Sequence, residues 1–267
     1  PKREAKNLWL IAASLLFYAF SGLWYVLLLL FSVFCNYLAG LFVSGRKGVL
    51  YVAVAVNLGV LGVFKYLTFL VRTVDQLPGV AITVSSIVLP VGISFFTFQG
   101  LSYVIDVCRN ERLKSPRFRD VLLYIALFPQ LVAGPIERSG NILPQLQLPA
   151  RFSYERAKSG LVLMLWGYIQ KMVVADRLAL LADTVYAQGG ALGGWATATA
   201  TVLFCFELYC DFSSYTDIAR GAARILGVEL MENFRSPFLS QSVAEFWRNW
   251  HISLSSFFRD YLYIPLG

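Results

Sequence analysis

Two apolar runs, Leu23–Val43 and Val49–Val71, constrain this chain more than any other feature it carries. Each supplies the roughly 20 apolar residues that a helix needs to cross about 30 Å of hydrocarbon. Only Ser44–Gly48 separates them, a short turn carrying Arg46 and Lys47. Lys65 interrupts the second run near its basic end at Arg72, so its ammonium is expected to snorkel to the interface. The chain is 57% hydrophobic and 15% charged with a mean hydropathy of +0.61. Soluble domains are about 45–50% apolar and about 25% charged, and disordered chains lack the 15% aromatic content seen here. In such a chain the net charge of +7 reads as an orientation signal in loops, not as a nucleic-acid footprint. No nucleic acid is expected among its partners.

The other apolar segments are shorter or broken. Leu8–Phe20 is too short to span as a helix and stops at Ser21-Gly22. Ile87–Val107 contains Pro90, Gly92 and Gly100 together with Ser94, Thr97, Gln99 and Asp106. Such a segment is tolerated at membrane depth where it packs inside protein or lines a wet cavity, and both readings stand at this point. Asp120–Ile136 holds Pro129, Gly134 and Pro135, which predicts a kinked or re-entrant piece. Between these lies Arg109–Arg119, the densest basic loop, expected on the cytoplasmic side. Asn141–Lys158 reads as a polar loop, Ser159–Val174 as apolar, and Gln188–Gly194 as a glycine-rich turn. Val243–Tyr261 reads as one amphipathic helix at the interface or plugging a bundle. The fold class that follows is all-α, a multi-pass bundle forming one domain over residues 1–267. The alternating ten-residue segments of a membrane β-barrel are absent.

Chemistry-bearing residues are sparse and concentrated in the second half. The cysteines Cys35, Cys108, Cys205 and Cys210 form no CxxC pair, and His251 is the only histidine, so neither a zinc site nor a disulfide framework is expected. Small apolar packing is the reading for the cysteines. In a helix starting at Trp195, Glu207, Asp211 and Tyr215 fall four apart on one face. Two carboxylates facing lipid are costly, so this face should turn inward. Asp217 has Arg220 and Arg224 at helical spacing, which predicts an internal ion pair. In a continuous helix Trp247, His251 and Ser255 share a face, and an imidazole is the side chain suited to proton transfer near neutral pH. A Ser–His pair through Ser255 lacks a third member to complete a triad.

CDFSSYTDIARGAARILG and ENFRSPFLSQSVAEFWRNWHISLSSFFRDYLYIPLG resemble the membrane-bound O-acyltransferase family, in particular its alginate O-acetyltransferase branch. LPVGISFFTFQGLSYVIDV and LFPQLVAGPIER are similar to the same branch, so the resemblance runs from Leu89 to Gly267, with weaker echoes in LLFYAF and around Asn36-Tyr37. It implies a ring of transmembrane helices, some broken or re-entrant, with interfacial amphipathic helices, around a thin centre. An acetyl group from acetyl-CoA or a similar cytoplasmic thioester would pass toward hydroxyls of an extracytoplasmic polysaccharide. No bound cofactor is implied. The implied setting is the bacterial cytoplasmic (inner) membrane, with lipid around the protein and a periplasmic or secreted acyltransferase- or esterase-like partner. His251 matches the first of two family histidines, the one with a positioning role. The second would lie beyond Gly267, and the chain is expected to be a piece cut at both ends. Trp247, Arg248, Asn249, Trp250 and Asp211 are the tunnel or supporting candidates, with Pro129 and Pro135 as further walls. Glu207 and Ser214 stand where the family has a glutamine-like residue and a glycine.

Two other classes fit the residues less well. A transporter with broken helices would show paired interrupted segments, and those around Pro90 and Pro129 do not resemble each other. A non-catalytic membrane scaffold would dock a partner through the aromatic helix around His251. The basic Arg109–Arg119 loop is an orientation signal first and a site for donor phosphates second.

Overall fold

The computed structural model of the chain describes residues 3–75, 88–109, 116–149, 151–189 and 191–267, and every regular element among them is helical. Its described residues fall into two compact units, residues 1–132 with 136–150, and residues 133–135 with 151–267.

The first unit contains α1 (Arg3–Ala19), α2 (Leu23–Phe42), α3 (Lys47–Asp75), α4 (Ile93–Arg109), α5 (Phe118–Ala126), α6 (Phe128–Leu131) and α7 (Ser139–Gln147). Among the described residues, α2 and Lys47–Val71 of α3 are the helices long and apolar enough to cross a membrane. Their outer faces carry large apolar side chains, Trp24, Leu27, Phe31, Tyr51, Leu58 and Phe69, in the open. Polar groups lie inside instead. Asn36 of α2 and Asn57 of α3 exchange side-chain hydrogen bonds at 3.1 and 2.9 Å, both buried. Such an amide pair holds two helices together where apolar contact offers no preference over lipid. Gly100 lies under Asn36, where a Cβ would collide with its carboxamide.

The proline-containing breaks fall where the sequence places them. Gly92 has φ +75° and lies against the backbone carbonyl of Leu131, so α4 starts only at Ile93. Its polar residues Thr97, Gln99 and Ser102 are packed inside, and Asp106 accepts a hydrogen bond from Ser139 at 2.7 Å. Protein packing is therefore what accommodates this segment. Leu127 separates α5 from α6, and Pro129 is buried near the start of the latter. The polar stretch 141–158 departs from expectation. It contains α7 and the start of α8 instead of a loop, because Ile142, Leu143 and Leu146 supply a buried face. The centre of the basic loop, 110–115, lies outside the described residues, as does the polar loop over 76–87. Arg117 and Arg119 both bind Glu4, at 3.0 and 2.6 Å, and hold its carboxyl below the usual range. These two arginines are engaged with α1.

The second unit contains α8 (Tyr154–Ile169), a π-helical turn over Gln170–Ala175, α9 (Asp176–Tyr186), α10 (Gly194–Ile225), and the short α11 (Val243–Asn249) and α12 (Ile252–Phe258). A 3-10 turn at Pro237–Leu239, a second π-turn at Arg259–Tyr263 and a last turn at Ile264–Leu266 complete it. The two long helices α8 and α10 meet backbone to backbone. A Cβ on Gly160 would lie 2.7 Å from the Gly221 carbonyl, and one on Gly167 would lie 2.8 Å from that of Ser214. Small residues are what allow helices to approach this closely. Leu161 and Leu165 on α8, Met172 in the π-turn, Leu180 on α9 and Val202 on α10 stand exposed.

The cysteines are all unpaired thiols; three are partly covered and Cys205 is exposed.

Candidate active site

Glu207, Asp211 and Tyr215 share a side of α10 as their spacing predicts, but that side is not turned fully inward: Tyr215 is exposed and the two carboxylates are half-buried, while Ser213, Ser214 and Thr216 form the buried face. The π-turn after α8 widens the helix by one residue, a feature frequent at functional sites. It carries Lys171, which reaches Asp211 across the helix pair and Asp176 at 2.9 Å. Its ammonium also stands 5.6 Å from the Tyr215 ring. Asp211 is thus held in an ion pair whose partner lies 40 residues away. Lys171→Met should cost about 1 kcal/mol, since it leaves the part-buried Asp211 and the exposed Asp176 without their cation. Thermal unfolding in detergent checks this. Lys171→Arg should recover most of the loss, and an unchanged midpoint for Lys171→Met would show the bridge to be idle.

One turn further along α10, Arg220 pairs with Asp217 at 3.1 Å and with Glu232 at 3.5 Å, and Glu232 also takes Arg235 at 2.8 Å. Arg224 turns instead to Glu229 at 3.0 Å. This chain of alternating charges fastens the 229–236 segment to α10. Asp217, Glu232 and Arg235 line a polar cavity of about 390 Å³ together with Gln170, Ser213 and Thr216.

Phe234 lies between this charge chain and the histidine motif. It lines the cavity and packs edge-to-face on Phe212 at 5.1 Å and on Trp250 at 5.1 Å. Trp250 in turn stacks on Phe246 at 5.5 Å. His251 meets Phe212 edge-on at 4.8 Å and lies parallel to Phe234 at 6.5 Å. The imidazole is therefore caged by two rings from α10 and the 229–236 segment.

The amphipathic helix expected over 243–261 is broken here. α11 ends at Asn249, and His251 adopts a left-handed backbone with φ 43° before α12 begins. A bulky residue in that region costs about 1–2 kcal/mol. The break removes the single face predicted for Trp247, His251 and Ser255. Ser255 donates to the Trp250 carbonyl at 3.2 Å instead of reaching the imidazole. The physical reason is a competing backbone pairing. Arg235 N–H donates to the Asn249 carbonyl at 3.0 Å, and Ile252 N–H donates to that of Asn233 at 2.9 Å. These bonds run the 233–235 and 249–252 segments antiparallel and bend the chain at His251.

His251 Nε2 is buried and has no hydrogen-bond partner. Burial pushes its pKa down to about 4, so the ring is neutral at physiological pH. A neutral imidazole presents a lone pair to any reactant brought to it. The other predicted residues divide by exposure. Trp250 is in the cage; Asn249 donates to Ser240 Oγ at 3.2 Å; Trp247 and Arg248 are exposed. Pro135 is buried. Among the described residues no group of three metal-ligating side chains forms. Sequence reasoning missed Phe212, Phe234, Asn233 and Lys171. The first three fall inside the quoted motifs, but nothing in their spacing places them around His251.

Residues 15–267 match the membrane-bound O-acyltransferase family. The chain is 38% identical, over 98% of its length, to a Pseudomonas aeruginosa protein described as probable alginate O-acetylase AlgI, and covers 52% of that protein. It is 32% identical, again over 98% of its length, to the peptidoglycan O-acetyltransferase of Helicobacter pylori, covering 56% of it. Over 65% of its length it is 29% identical to the teichoic acid D-alanyltransferase of Bacillus subtilis, covering 44% of it. The chain thus spans about half the length of the curated relatives it matches.

Proposed function

The chain belongs to the membrane-bound O-acyltransferase family, and on that premise we propose that it is a multi-pass membrane O-acyltransferase acting as one domain. It moves an acetyl group from a cytoplasmic thioester, acetyl-CoA in chemistry, toward hydroxyls of an extracytoplasmic polysaccharide. The acceptor class rests on relatives named for alginate and peptidoglycan acetylation, and the bacterial inner membrane is the corresponding setting. A secreted or periplasmic acyltransferase-like protein is the expected partner in the hand-over to polymer.

The observation that carries the reading is the caged, neutral imidazole of His251, its Nε2 unpartnered, packed on Phe234, which lines the polar cavity. Acyl transfer to a hydroxyl needs a group that accepts or orients the hydroxyl proton. Exclusion of water protects the thioester from hydrolysis, and aromatic walls supply it. His251 orients a reactant in this scheme, with Trp250 and Asn249 holding the bend and Asp211 holding α10 to the π-turn. Trp247 and Arg248, being exposed, are assigned to contacts with lipid headgroups or the partner. Helices with outward apolar faces, α2, α3, α10 and the continuous run from α8 through the π-turn into α9, are read as the spans.

The test is transfer of radiolabel from acetyl-CoA outside inverted membrane vesicles containing the full-length protein to a mannuronate oligomer inside. Label on the oligomer is expected. Movement of intact oligomer or acetyl-CoA without esterification would replace this reading with a transporter.

A further inference from the structure

Asn233 is 1% exposed and sits in the segment that pairs with the histidine bend. Its backbone carbonyl accepts the Ile252 N–H at 2.9 Å, and its side-chain oxygen accepts the Ser253 N–H at 3.2 Å. Both donors belong to the first turn of α12, whose N–H groups have no partner within their own helix. Because the oxygen is committed to an N–H, the orientation of the carboxamide is fixed, with Nδ2 on the other side. That Nδ2 is buried and makes no hydrogen bond. A buried donor left unmatched costs about 1–3 kcal/mol, a penalty that an all-structural role does not require. His251 forms the bend that this segment pairs with, and its Nε2 is also buried and unmatched. Two orphan polar atoms thus occur close to one backbone bond, one on Asn233, whose carbonyl takes the Ile252 N–H, and one on His251, the residue before Ile252.

We propose that Asn233 serves the acyl group directly: its oxygen pins the first turn of α12 and so the His251 bend, while its Nδ2–H₂ receives the carbonyl oxygen of the acyl group. This deepens the acyltransferase reading and rests on it. In the transfer, the acceptor hydroxyl oxygen bonds to the acyl carbon and the carbon–sulfur bond breaks. The hydroxyl proton leaves with the sulfur as the thiol. Between those events negative charge gathers on the carbonyl oxygen, and a fixed donor in a dry site stabilises it without reorganisation. The imidazole lone pair and the amide hydrogens then address the two ends of one reaction, the hydroxyl proton and the carbonyl oxygen.

Asn233→Asp separates the two roles. An aspartate keeps an oxygen for the Ser253 N–H but replaces the donating nitrogen with an acceptor. The experiment uses the full-length protein in proteoliposomes with acetyl-CoA as donor and a mannuronate oligomer as the hydroxyl probe. Asn233→Asp should lower the unfolding temperature, because its carboxylate is buried, and in the protein that remains folded kcat should fall roughly 100-fold with KM within about twofold of wild type. If the buried carboxylate prevents folding, Asn233→Thr takes its place; it is neutral and can accept from the Ser253 N–H, and its hydroxyl hydrogen starts one bond short of the amide nitrogen it replaces, so a loss in kcat in the same direction is expected. A folded variant of either kind that turns over at more than about a third of the wild-type rate overturns the donor role and leaves the acyltransferase reading standing. Wild-type protein that transfers no acetyl group at all overturns both.

Discussion

Replacing His251 with asparagine in the full-length protein should reduce acetyl transfer by roughly 10²–10⁴-fold, the range lost with a positioned acid–base group. Asparagine is the informative substitution because it tolerates the left-handed backbone that His251 occupies at φ 43°. Alanine would combine loss of the imidazole with loss of its contact on Phe212 and retention of backbone strain. A His251→Asn protein that is folded but inactive therefore isolates the chemistry. Activity near that of wild type would instead support a scaffold that docks a partner through the aromatic cluster. The same variant carries a pH signature. The unfolded imidazole titrates near 6.5, whereas burial holds the folded one at about 4. Below pH 6.5 the unfolded chain takes up a proton that the folded chain refuses. The stability associated with a neutral His251 is thus complete above pH 6.5, drains as the pH falls toward 4, and changes no further below that. The thermal midpoint of the wild type should fall across that window more steeply than that of His251→Asn. Equal slopes would show that the ring is not shielded as the cage implies.

Gly221→Leu should be the most damaging single change among the helix contacts. A Cβ at that position would lie 2.5 Å from the Gly160 carbonyl and 3.0 Å from the Met164 backbone nitrogen. Neither backbone atom can rotate away, so α8 and α10 must part. Overpacking of this kind costs about 3 kcal/mol or more. The displacement would lengthen the Lys171–Asp211 bridge and disturb Arg220, the next residue along, with its pairs to Asp217 and Glu232. Loss of activity should therefore accompany loss of stability. Gly140→Ala is the control. Its Cβ meets nothing within 4 Å, and alanine in a helix is favoured over glycine by roughly 0.5–1 kcal/mol. The detergent-solubilised thermal midpoint should drop for the first and hold or rise for the second. A wild-type midpoint for Gly221→Leu would mean that the helices are not in backbone contact.

Much of the local structure was legible because it depends on near neighbours in the chain. The apolar runs over 23–43 and 49–71 became α2 and α3, since length and composition alone decide whether a helix can bury its backbone in lipid. Pro90, Gly92 and the Pro129 region broke the helices they punctuate. The i+4 spacing of Glu207, Asp211 and Tyr215 required only that α10 be continuous, which it is. The i+3 pairing of Asp217 with Arg220 needed no more. The errors occurred where a distant segment outcompeted a local preference. Residues 243–261 have helical periodicity throughout, but the 233–235 backbone captures Asn249 and Ile252 and bends the chain between them. The 141–158 stretch looks polar residue by residue, yet Ile142, Leu143 and Leu146 fall on one turn-spaced face and bury it.

The sequence by itself determined that this chain is helical, that two of its helices can cross a membrane, and that its one histidine sits in a motif shared with membrane acyltransferases. Those properties follow from hydropathy, residue order and the chemistry of single side chains. Only the tertiary structure decided what surrounds the histidine. Phe212 and Phe234 enclose the ring, Asn233 pins the turn after it, and Lys171 reaches Asp211 across the helix pair. Each of those contacts joins residues separated by 17 to 40 positions. Their geometry is set by how closely glycine lets α8 and α10 approach and by which backbone groups remain unpaired at a helix end. No spacing rule along the chain contains that information.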